Sequence, residues 1–225
     1  DLEKKLLAYV NISLLDKASK VAKEILRNDN SNQDAWLAYL THAKLNNISK
    51  PFYELKKQHR IEELSIVKFI FYNGYIPKKS NEDIAQSFFE IVQASNANNN
   101  NESQGFDYLL FYLSLSLNLN PKFNESFFIT AQLYQIMKNY EKAEKFYNKV
   151  HKDHNLYLES QKNIAINKKH QNNTKKAEEE LISLIDLYPS NENLFISLAD
   201  FYKSTKQYIS AIPYYSIVLN NQDLD

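Results

Sequence analysis

The chain has 225 residues, of which 44% are hydrophobic and 24% are charged, and its formal net charge at pH 7 is 0. Acidic and basic residues are mixed along the whole length. This argues against a general binder of nucleic acid or of anionic membranes, because such binders need a basic surplus. Cysteine is absent, so the sequence excludes disulfides, zinc–thiolate sites and a thiol nucleophile.

Glycine and proline rarely interrupt the chain. Two glycines and five prolines allow few strand turns and favour helices joined by short loops. In chain order, a helix carries Ala18 and Ala22 on one face, and further helices are predicted at residues 33–46 and 50–59. We predict a lone or poorly paired helix at residues 61–75, before the segment GYIP at 74–77. No uncharged apolar run reaches the roughly 18–20 residues that a membrane span needs.

Another helix pair is predicted in the middle of the chain. Residues 81–97 form its first helix, with Ser80 as the N-cap and Asp83 in the first turn. Residues 104–119 form the second helix, and the segment NANNNNESQG is an enlarged loop between the two. Pro121 marks the turn that ends this pair.

An internal repeat runs through the C-terminal part of the chain. After Ala97 the sequence has six alanines, and all six fall on two positions of one 34-residue frame. They are Ala131, Ala165 and Ala199 at the first position, and Ala143, Ala177 and Ala211 at the second. Such agreement indicates a true internal repeat, with units at 124–157, 158–191 and 192–225.

Each unit has the spacing of two helices. Ala143, Tyr147 and Val150 lie at i, i+4 and i+7 and share one face of a helix. Phe127 and Tyr134, with the residues between them, form the apolar face of the helix before it. Small alanines at matching places in both helices allow their axes to approach closely, and aromatic side chains fill the remaining space.

This pattern resembles the tetratricopeptide repeat (TPR), a helix–turn–helix unit that has the same period. The resemblance implies an all-α fold, a right-handed α-solenoid of about six antiparallel helix pairs. A 35-residue repeat that reads RNA is excluded by the period. Two features depart from the TPR pattern: Gln161 and Lys168 replace the usual aromatic residues, and Pro213 lies inside a second helix, where we expect a kink or a late helix start.

The repeat frame extends imperfectly toward the N-terminus. Trp36 lies where a TPR unit has its large aromatic residue, but the frame slips by about one third of a repeat before the regular units. We therefore divide the chain into degenerate TPR-like helices at 1–80, a TPR-like pair with an Asn-rich loop at 81–123, and three regular repeats at 124–225. The order of these segments also resembles certain bacterial TPR proteins of unassigned role.

The resemblance also implies where a partner binds. The functional surface of a TPR is usually its concave face, which the first helix of each repeat lines. In this frame the candidate residues for binding a peptide or protein are Glu125, Phe128, Gln132, Gln135, Lys162, Asn163, Ile166, Lys169, Ile196, Asp200 and Lys203.

The candidate surface contains apolar residues that the repeat does not need for its own packing. They are Phe128, Ile136, Ile166 and Ile196, and they suit an extended peptide or an amphipathic helix. The alternative is that they pack against a neighbouring repeat or a superhelix partner. A chaperone-tail clamp, which one type of TPR forms with Lys, Asn and Arg, is disfavoured because only Asn163 matches its pattern.

No other part of the sequence indicates catalysis or a cofactor. His151 and His154 have the spacing of a metal pair, but they lack a clear third ligand. The densest basic patch, at residues 56–60, is followed at once by two glutamates, so we expect a solvated surface. We therefore expect no metal, no cofactor and no nucleophile–His–acid site.

The sequence favours a non-catalytic scaffold that binds a protein or peptide. Two alternatives stay open: a TPR module of a larger enzyme, and a structural component of an envelope assembly. We expect no binding of nucleic acid and no membrane span, and we predict self-association through an uncapped C-terminal end. A bacterial periplasm or cell envelope and a cytoplasm fit the sequence equally well.

Overall fold

The structure is a computed structural model that describes residues 1–57, 64–73, 76–77, 80–98 and 105–222. The basic patch at 56–60, the Asn-rich loop and the GYIP segment lie wholly or partly outside the described residues. Thirteen helices occur in the described part of the chain. They are α1 (Leu2–Asn11), α2 (Leu15–Asn28), α3 (Gln33–Leu45), α4 (Lys50–Lys57), α5 (Ser65–Phe71), α6 (Asn81–Asn98), α7 (Phe106–Leu119), α8 (Asn124–Ile136), α9 (Tyr140–Tyr147), α10 (Tyr157–His170), α11 (Thr174–Leu187), α12 (Glu192–Ser204) and α13 (Tyr208–Gln222).

The all-α helical-repeat fold expected from the sequence is confirmed. Strand structure within the described residues is confined to one short antiparallel pair, β1 (Tyr72–Asn73) and β2 (Ile76–Pro77). The contacts divide the chain into two compact units, Asp1–Ser126 and Phe127–Asp225.

Helix α7 lies at the centre of the first unit. It packs against α6, its predicted partner, and also against α1 and α3. Its apolar residues point in nearly all directions, and Phe111 and Leu113 are completely buried. The hydroxyl of Ser116 donates to the carbonyl oxygen of Ala85 at 2.9 Å, which satisfies one of the few polar groups in this core. Ser80 caps α6 as predicted, accepting from the N–H of Asp83 at 2.9 Å.

Helix α5 is not isolated, so the lone helix that was one alternative for residues 61–75 is wrong, while its few contacts fit the other alternative, a poorly paired helix. Helix α5 packs against α3 and α6. The ring of Phe71 lies edge-on to Phe52 at 5.8 Å and to Phe88 at 6.0 Å, measured between ring centroids. These aromatic contacts join α4, α5 and α6 in the core of the first unit.

The second unit contains the regular repeats, and its core follows the alanine positions. The six repeat alanines are all 4% exposed or less. Tyr147 and Val150, which share the face of Ala143, are also buried, at 0% and 3% exposed. A methyl side chain at these positions lets paired helices approach closely, so the sequence periodicity and the packing have the same cause.

Among the described residues, five that are not glycine adopt positive φ angles, and their spacing repeats the 34-residue period. They are Ser13 (58°), Asn47 (54°), Lys138 (59°), Asn172 (61°) and Lys206 (63°). The N–H of Lys138 donates to the carbonyl oxygen of Gln135, and the N–H of Asn139 donates to the carbonyl oxygen of Tyr134. This pair of bonds is the Schellman motif, and the other four sites have the same pattern. The first helix of each of these five pairs therefore ends in the same way.

The positive-φ residues also show where the repeat frame breaks. Ser13 and Asn47 are one repeat period apart, and Lys138, Asn172 and Lys206 follow one another at the same period. The interval from Asn47 to Lys138 falls short of three whole periods. This offset agrees with the frame slip inferred from the sequence, and α5, α6 and α7 lie within it.

Polar contacts join successive repeats in the second unit. The ammonium of Lys168 on α10 forms an ion pair with the carboxylate of Glu144 on α9. In the next repeat, the hydroxyl of Tyr202 on α12 donates to Glu178 on α11 at 2.7 Å. Both contacts join a second helix to the first helix that follows, and they occupy the same two positions of the repeat frame.

Pro213 does not delay the start of its helix. Helix α13 begins at Tyr208 and continues through Pro213 to Gln222, so the predicted late helix start is wrong. A proline has no N–H, and Pro213 therefore leaves the carbonyl of Ile209 without its usual intrahelical donor.

Candidate functional site

A groove lies between α10 and α12, the first helices of two successive repeats. This α10–α12 groove has a volume of about 380 Å³. It is lined by Glu159, Lys162, Asn163, Ile166 and Lys169 from α10, and by Ser197, Asp200, Phe201 and Ser204 from α12. The spacing of the α10 residues places them on one helix face, because residues three and four apart are neighbours on a helix.

The charged groups of the groove are partly neutralised within it. The ammonium of Lys162 lies 2.5 Å from Glu159 Oε2, and the Lys162 side chain is only 17% exposed. Asp200 accepts a hydrogen bond from the hydroxyl of Tyr215 at 2.5 Å. The ammonium of Lys169 donates to the hydroxyl of Ser204 at 2.5 Å and has no carboxylate partner among the described residues. Lys169 is therefore the cation of this groove that is available to an acidic group.

The structure brings five of the predicted residues together in this groove. They are Lys162, Asn163, Ile166, Lys169 and Asp200. Ile166 is half-buried and supplies apolar surface beside these polar groups. Ile196 and Lys203, also on α12, do not line the groove; Ile196 is half-buried and Lys203 is exposed.

Phe128 was predicted to offer apolar surface to a partner, and this prediction is wrong. Phe128 is 7% exposed, and its ring lies edge-on to that of Tyr147 at 5.6 Å. It therefore belongs to the packing between α8 and α9 and does not present a free apolar surface. Ile136, at the end of the same helix, is 59% exposed.

The other candidates on α8 are half-buried and do not line the groove. Glu125 lies in the first turn of α8 and Gln132 in its middle. Gln135 accepts a hydrogen bond from the hydroxyl of Tyr147 at 2.7 Å. Burial raises the pKa of Tyr147 well above its ordinary value, and the nearby carboxylate of Glu159 raises it further. Tyr147 thus lies below the surface, close to both Gln135 and the edge of the α10–α12 groove.

The sequence reasoning missed Phe201 and Ser204 as groove residues. Phe201 is 4% exposed and occupies the repeat position of Leu133, which indicates a core residue. Ser204 is the last residue of α12 and lies outside the predicted face. Helical spacing could have found both residues, because Ser197, Asp200, Phe201 and Ser204 lie at i, i+3, i+4 and i+7 and so share one face of α12.

A buried amide lies next to the groove residues on α10. Asn167 is completely buried, and neither its Nδ2 nor its Oδ1 has a hydrogen-bond partner among the described residues. Its repeat position holds Leu133 in the preceding unit and Phe201 in the following one. An unpaired amide in such a position destabilises the fold.

The first unit contains a second cleft that the sequence reasoning missed. This cleft has a volume of about 370 Å³, and Trp36 and Tyr39 form part of its wall, with their rings stacked at 6.1 Å. Lys23 lies over the ring of Tyr39 at 4.9 Å. Arg27 and Lys50 add further basic groups, and Lys50 lies 3.8 Å from Glu54, which also lines the cleft.

The predicted histidine pair makes local contacts. His151 and His154 each accept a backbone hydrogen bond at Nδ1, from Asp153 and Leu156, both at 3.3 Å. In the described part of the chain, no group of three or more His, Asp or Glu side chains is arranged to hold a metal ion.

Among the helices of the described ranges, none combines the length and the apolar character that crossing a bilayer needs.

The sequence matches no family model and no curated protein. Solved structures do resemble the fold. BtubC (BKLC) from P. vanneervenii has a TM-score of 0.56 at 10% identity, over 100% of this chain and 92% of that one. The TPR-like repeats of a putative kinesin light chain from Podospora anserina have a TM-score of 0.54 at 17% identity, over 88% and 94% of the two chains.

Yeast Tom70 has a TM-score of 0.51 at 15% identity. The alignment covers 92% of this chain and 39% of Tom70, so the present chain spans well under half of that protein. At these identities the similarity concerns the fold alone. The chain has the fold of the tetratricopeptide repeat proteins.

Proposed function

We propose that the chain is a non-catalytic interaction scaffold that binds a peptide or protein partner in the α10–α12 groove. The observation that carries this proposal is the composition of the groove. Ile166 supplies apolar surface, Asn163 and Ser197 supply polar groups, and Lys169 supplies a cation without a carboxylate partner among the described residues. Grooves that bind extended segments combine such apolar surface with a few fixed polar groups.

The groove also indicates the chemistry of the partner. An apolar side chain of the partner would contact Ile166, and an acidic group would displace Ser204 from the ammonium of Lys169. Lys162 contributes less to recognition, because its charge is already neutralised by Glu159 at 2.5 Å. The preferred partner is therefore a segment that places an acidic residue close to an apolar one.

Site-specific photo-crosslinking tests this proposal. A photoreactive residue would be introduced at Asn163 or Ser197 in the groove, and at Ser183 as the matched control on α11. Ser183 is exposed and does not line the groove. The groove positions are expected to give discrete crosslinked products with a partner from the native cell, and the control position is expected to give none.

The segment identified in those products would then be synthesised and mixed with the purified protein. The proposal predicts that it binds and that exchanging its acidic residue for the amide weakens binding by roughly tenfold to a hundredfold, since a charge-assisted contact is worth roughly 1.5–3 kcal/mol. Equal crosslinking from Ser183 and from the groove positions would contradict the proposal.

A further inference from the structure

The cleft beside Trp36 in the first unit carries a local excess of positive charge. This α2–α4 cleft is lined by three basic side chains, Lys23 and Arg27 from α2 and Lys50 from α4, and by one carboxylate, that of Glu54. Its charged groups therefore have a net charge of +2, in a chain whose formal net charge is 0. A cleft in which one sign of charge predominates attracts ligands of the opposite sign.

Two of the three cations are not neutralised within the fold. Lys23 and Arg27 form no ion pair with a carboxylate of the described residues. The ammonium of Lys23 lies instead over the ring of Tyr39, 4.9 Å from the ring centroid, a contact that holds the ammonium in place without cancelling its charge. Lys50 lies 3.8 Å from Glu54, and because these side chains are 78% and 40% exposed, their pair is weak.

The repeat fold does not require basic residues at these positions. Positions in different helix pairs can be matched by counting from the positive-φ residue that ends the first helix of each pair. In the last two pairs, the positions of Lys23, Arg27 and Lys50 hold apolar or acidic residues, namely Ile182, Asp186 and Ile209. The same helix pair thus forms without any of the three cations, which favours a role for them in recognition.

Aromatic and apolar groups form the wall beside the cations. The rings of Trp36 and Tyr39 stack at 6.1 Å, and the indole N–H of Trp36 donates to the carbonyl oxygen of Asn30 at 2.9 Å. Leu26 also lines the cleft and is half-buried. At about 370 Å³ the cleft is far larger than a single inorganic anion, which would leave this wall uncovered.

We propose that the α2–α4 cleft binds an acidic segment of a protein partner, in which two neighbouring carboxylates stand beside an apolar side chain. Two carboxylates match the net charge of the cleft, and the apolar side chain contacts Leu26 and Trp36. The guanidinium of Arg27 holds one carboxylate through two parallel hydrogen bonds, and Lys23, one helical turn away, pairs with the other. This surface lies on α2, α3 and α4 and is independent of the role proposed for the α10–α12 groove.

The fluorescence of Trp36 tests the proposal. Trp36 is the only tryptophan of the chain, so its emission reports on the α2–α4 cleft, and the α10–α12 groove contains no tryptophan. The probes are acetylated and amidated peptides in which two adjacent glutamates precede or follow a leucine, and the same peptides with two glutamines. A glutamate peptide is expected to change the emission saturably, and the glutamine peptides to bind at least about tenfold more weakly. Added salt is expected to weaken the binding.

Charge variants show whether the cations of the cleft are responsible. Lys23→Ala and Arg27→Ala are each expected to weaken binding by about tenfold, because a charge-assisted contact is lost. Lys20→Ala, the control, removes the same charge from an exposed residue of α2 that does not line the cleft. It is expected to change binding by less than about twofold. Glu54→Gln is expected to tighten binding by about twofold to fivefold, because it removes a like charge, and an unfolded variant could not give this gain.

Several outcomes would overturn the proposal. They are the absence of a saturable change with either glutamate peptide, equal affinity for the glutamine peptides, and an effect of Arg27→Ala no larger than that of Lys20→Ala. Inorganic phosphate that binds as tightly as the glutamate peptides would also overturn it, because the cleft would then recognise a small anion and not an acidic segment. Ser197→Arg, which changes only the α10–α12 groove, is expected to bind these peptides like the wild type, so this test does not depend on the outcome for the groove.

Discussion

The ammonium of Lys168 forms an ion pair with the carboxylate of Glu144, and this pair joins α9 to the first helix of the next repeat. The side chains are 17% and 15% exposed, so both charges are largely withdrawn from water. Lys168 stands where the other two regular repeats have tyrosine. The aromatic residue that the repeat usually has here is thus replaced, but the contact with the glutamate of the preceding repeat is kept.

Lys168→Ala is expected to lower the free energy of unfolding by roughly 1–2 kcal/mol, because it leaves Glu144 partly buried without its cation. Lys168→Tyr is expected to stay within about 1 kcal/mol of the wild type, because a tyrosine hydroxyl can donate as Tyr202 donates to Glu178. Urea denaturation followed by circular dichroism measures both.

The control for this prediction is Lys145→Ala. Lys145 forms an ion pair with Glu141 at 2.7 Å, but the two side chains are 68% and 80% exposed. Such a solvent-exposed pair contributes little to stability. A loss at Lys168 no larger than the loss at Lys145 would show that burial does not strengthen the contact between repeats.

Removing the buried amide of Asn167 is expected to raise stability, whereas removing the Lys168 ammonium is expected to lower it. Asn167→Leu introduces the residue that the preceding repeat has at this position and removes two unpaired polar atoms. The free energy of unfolding is expected to rise by roughly 1–3 kcal/mol. Asn148→Leu, at the exposed residue that follows α9, is the control and is expected to change stability by less than about 0.5 kcal/mol. A destabilised Asn167→Leu protein would mean that the amide has a stabilising role.

The positive φ angles identify positions at which a substitution by glycine is expected to stabilise the fold. Lys138 has a φ of 59°, and a residue with a Cβ is disfavoured in this region by about 1 kcal/mol. Lys138→Gly is expected to raise the melting temperature, and Asn172→Gly to raise it less, because asparagine tolerates this conformation better. Lys145→Gly, inside α9, is expected to lower stability by about 1 kcal/mol. Equal losses at all three positions would contradict the helix-end geometry.

Because Tyr147 is buried, we predict that the free energy of unfolding falls at alkaline pH. Its pKa in the folded chain is raised above 10.0, the ordinary value, first by burial and then by the charge of Glu159. The unfolded chain therefore releases this proton at lower pH than the folded chain. The stability that Tyr147 contributes is fully present below about pH 10 and falls as the pH rises above it.

Tyr147→Phe separates this effect from the rest of the chain. At neutral pH the variant is expected to be less stable by about 1 kcal/mol, because the hydrogen bond to Gln135 is lost. Between about pH 9 and 11 its stability is expected to fall less steeply than that of the wild type. Tyr53→Phe, at a side chain that is 70% exposed, is the control for the slope. Identical slopes for the wild type and Tyr147→Phe would contradict the buried position of this hydroxyl.

The repeat itself could be predicted from the sequence, because the same period governs the buried alanines and the ends of the first helices. The face of α10 followed from the same register, and Lys162, Asn163, Ile166 and Lys169 do lie together. These features depend on residues close in the chain or on an exact periodicity, and both are visible in a single sequence.

Other features depend on contacts that periodicity does not encode. The register assigns Phe128 to the concave face, but its ring packs against that of Tyr147 and is buried. Helix α7 also packs against α1, at the start of the chain, and no local pattern indicates this pairing. The Asn11 side chain donates to the Asp107 carbonyl at 3.4 Å between the same two helices.

Calorimetry of partner binding to groove variants tests the role of the α10–α12 groove most directly. Ser197→Arg and Asn163→Arg place a long side chain in the α10–α12 groove, and Ser183→Arg makes the same exchange on the outer side of α11. We predict that the groove variants weaken binding of the crosslinked segment at least tenfold, while Ser183→Arg binds it like the wild type. Unchanged binding by both groove variants would contradict the claim that this groove is the binding surface.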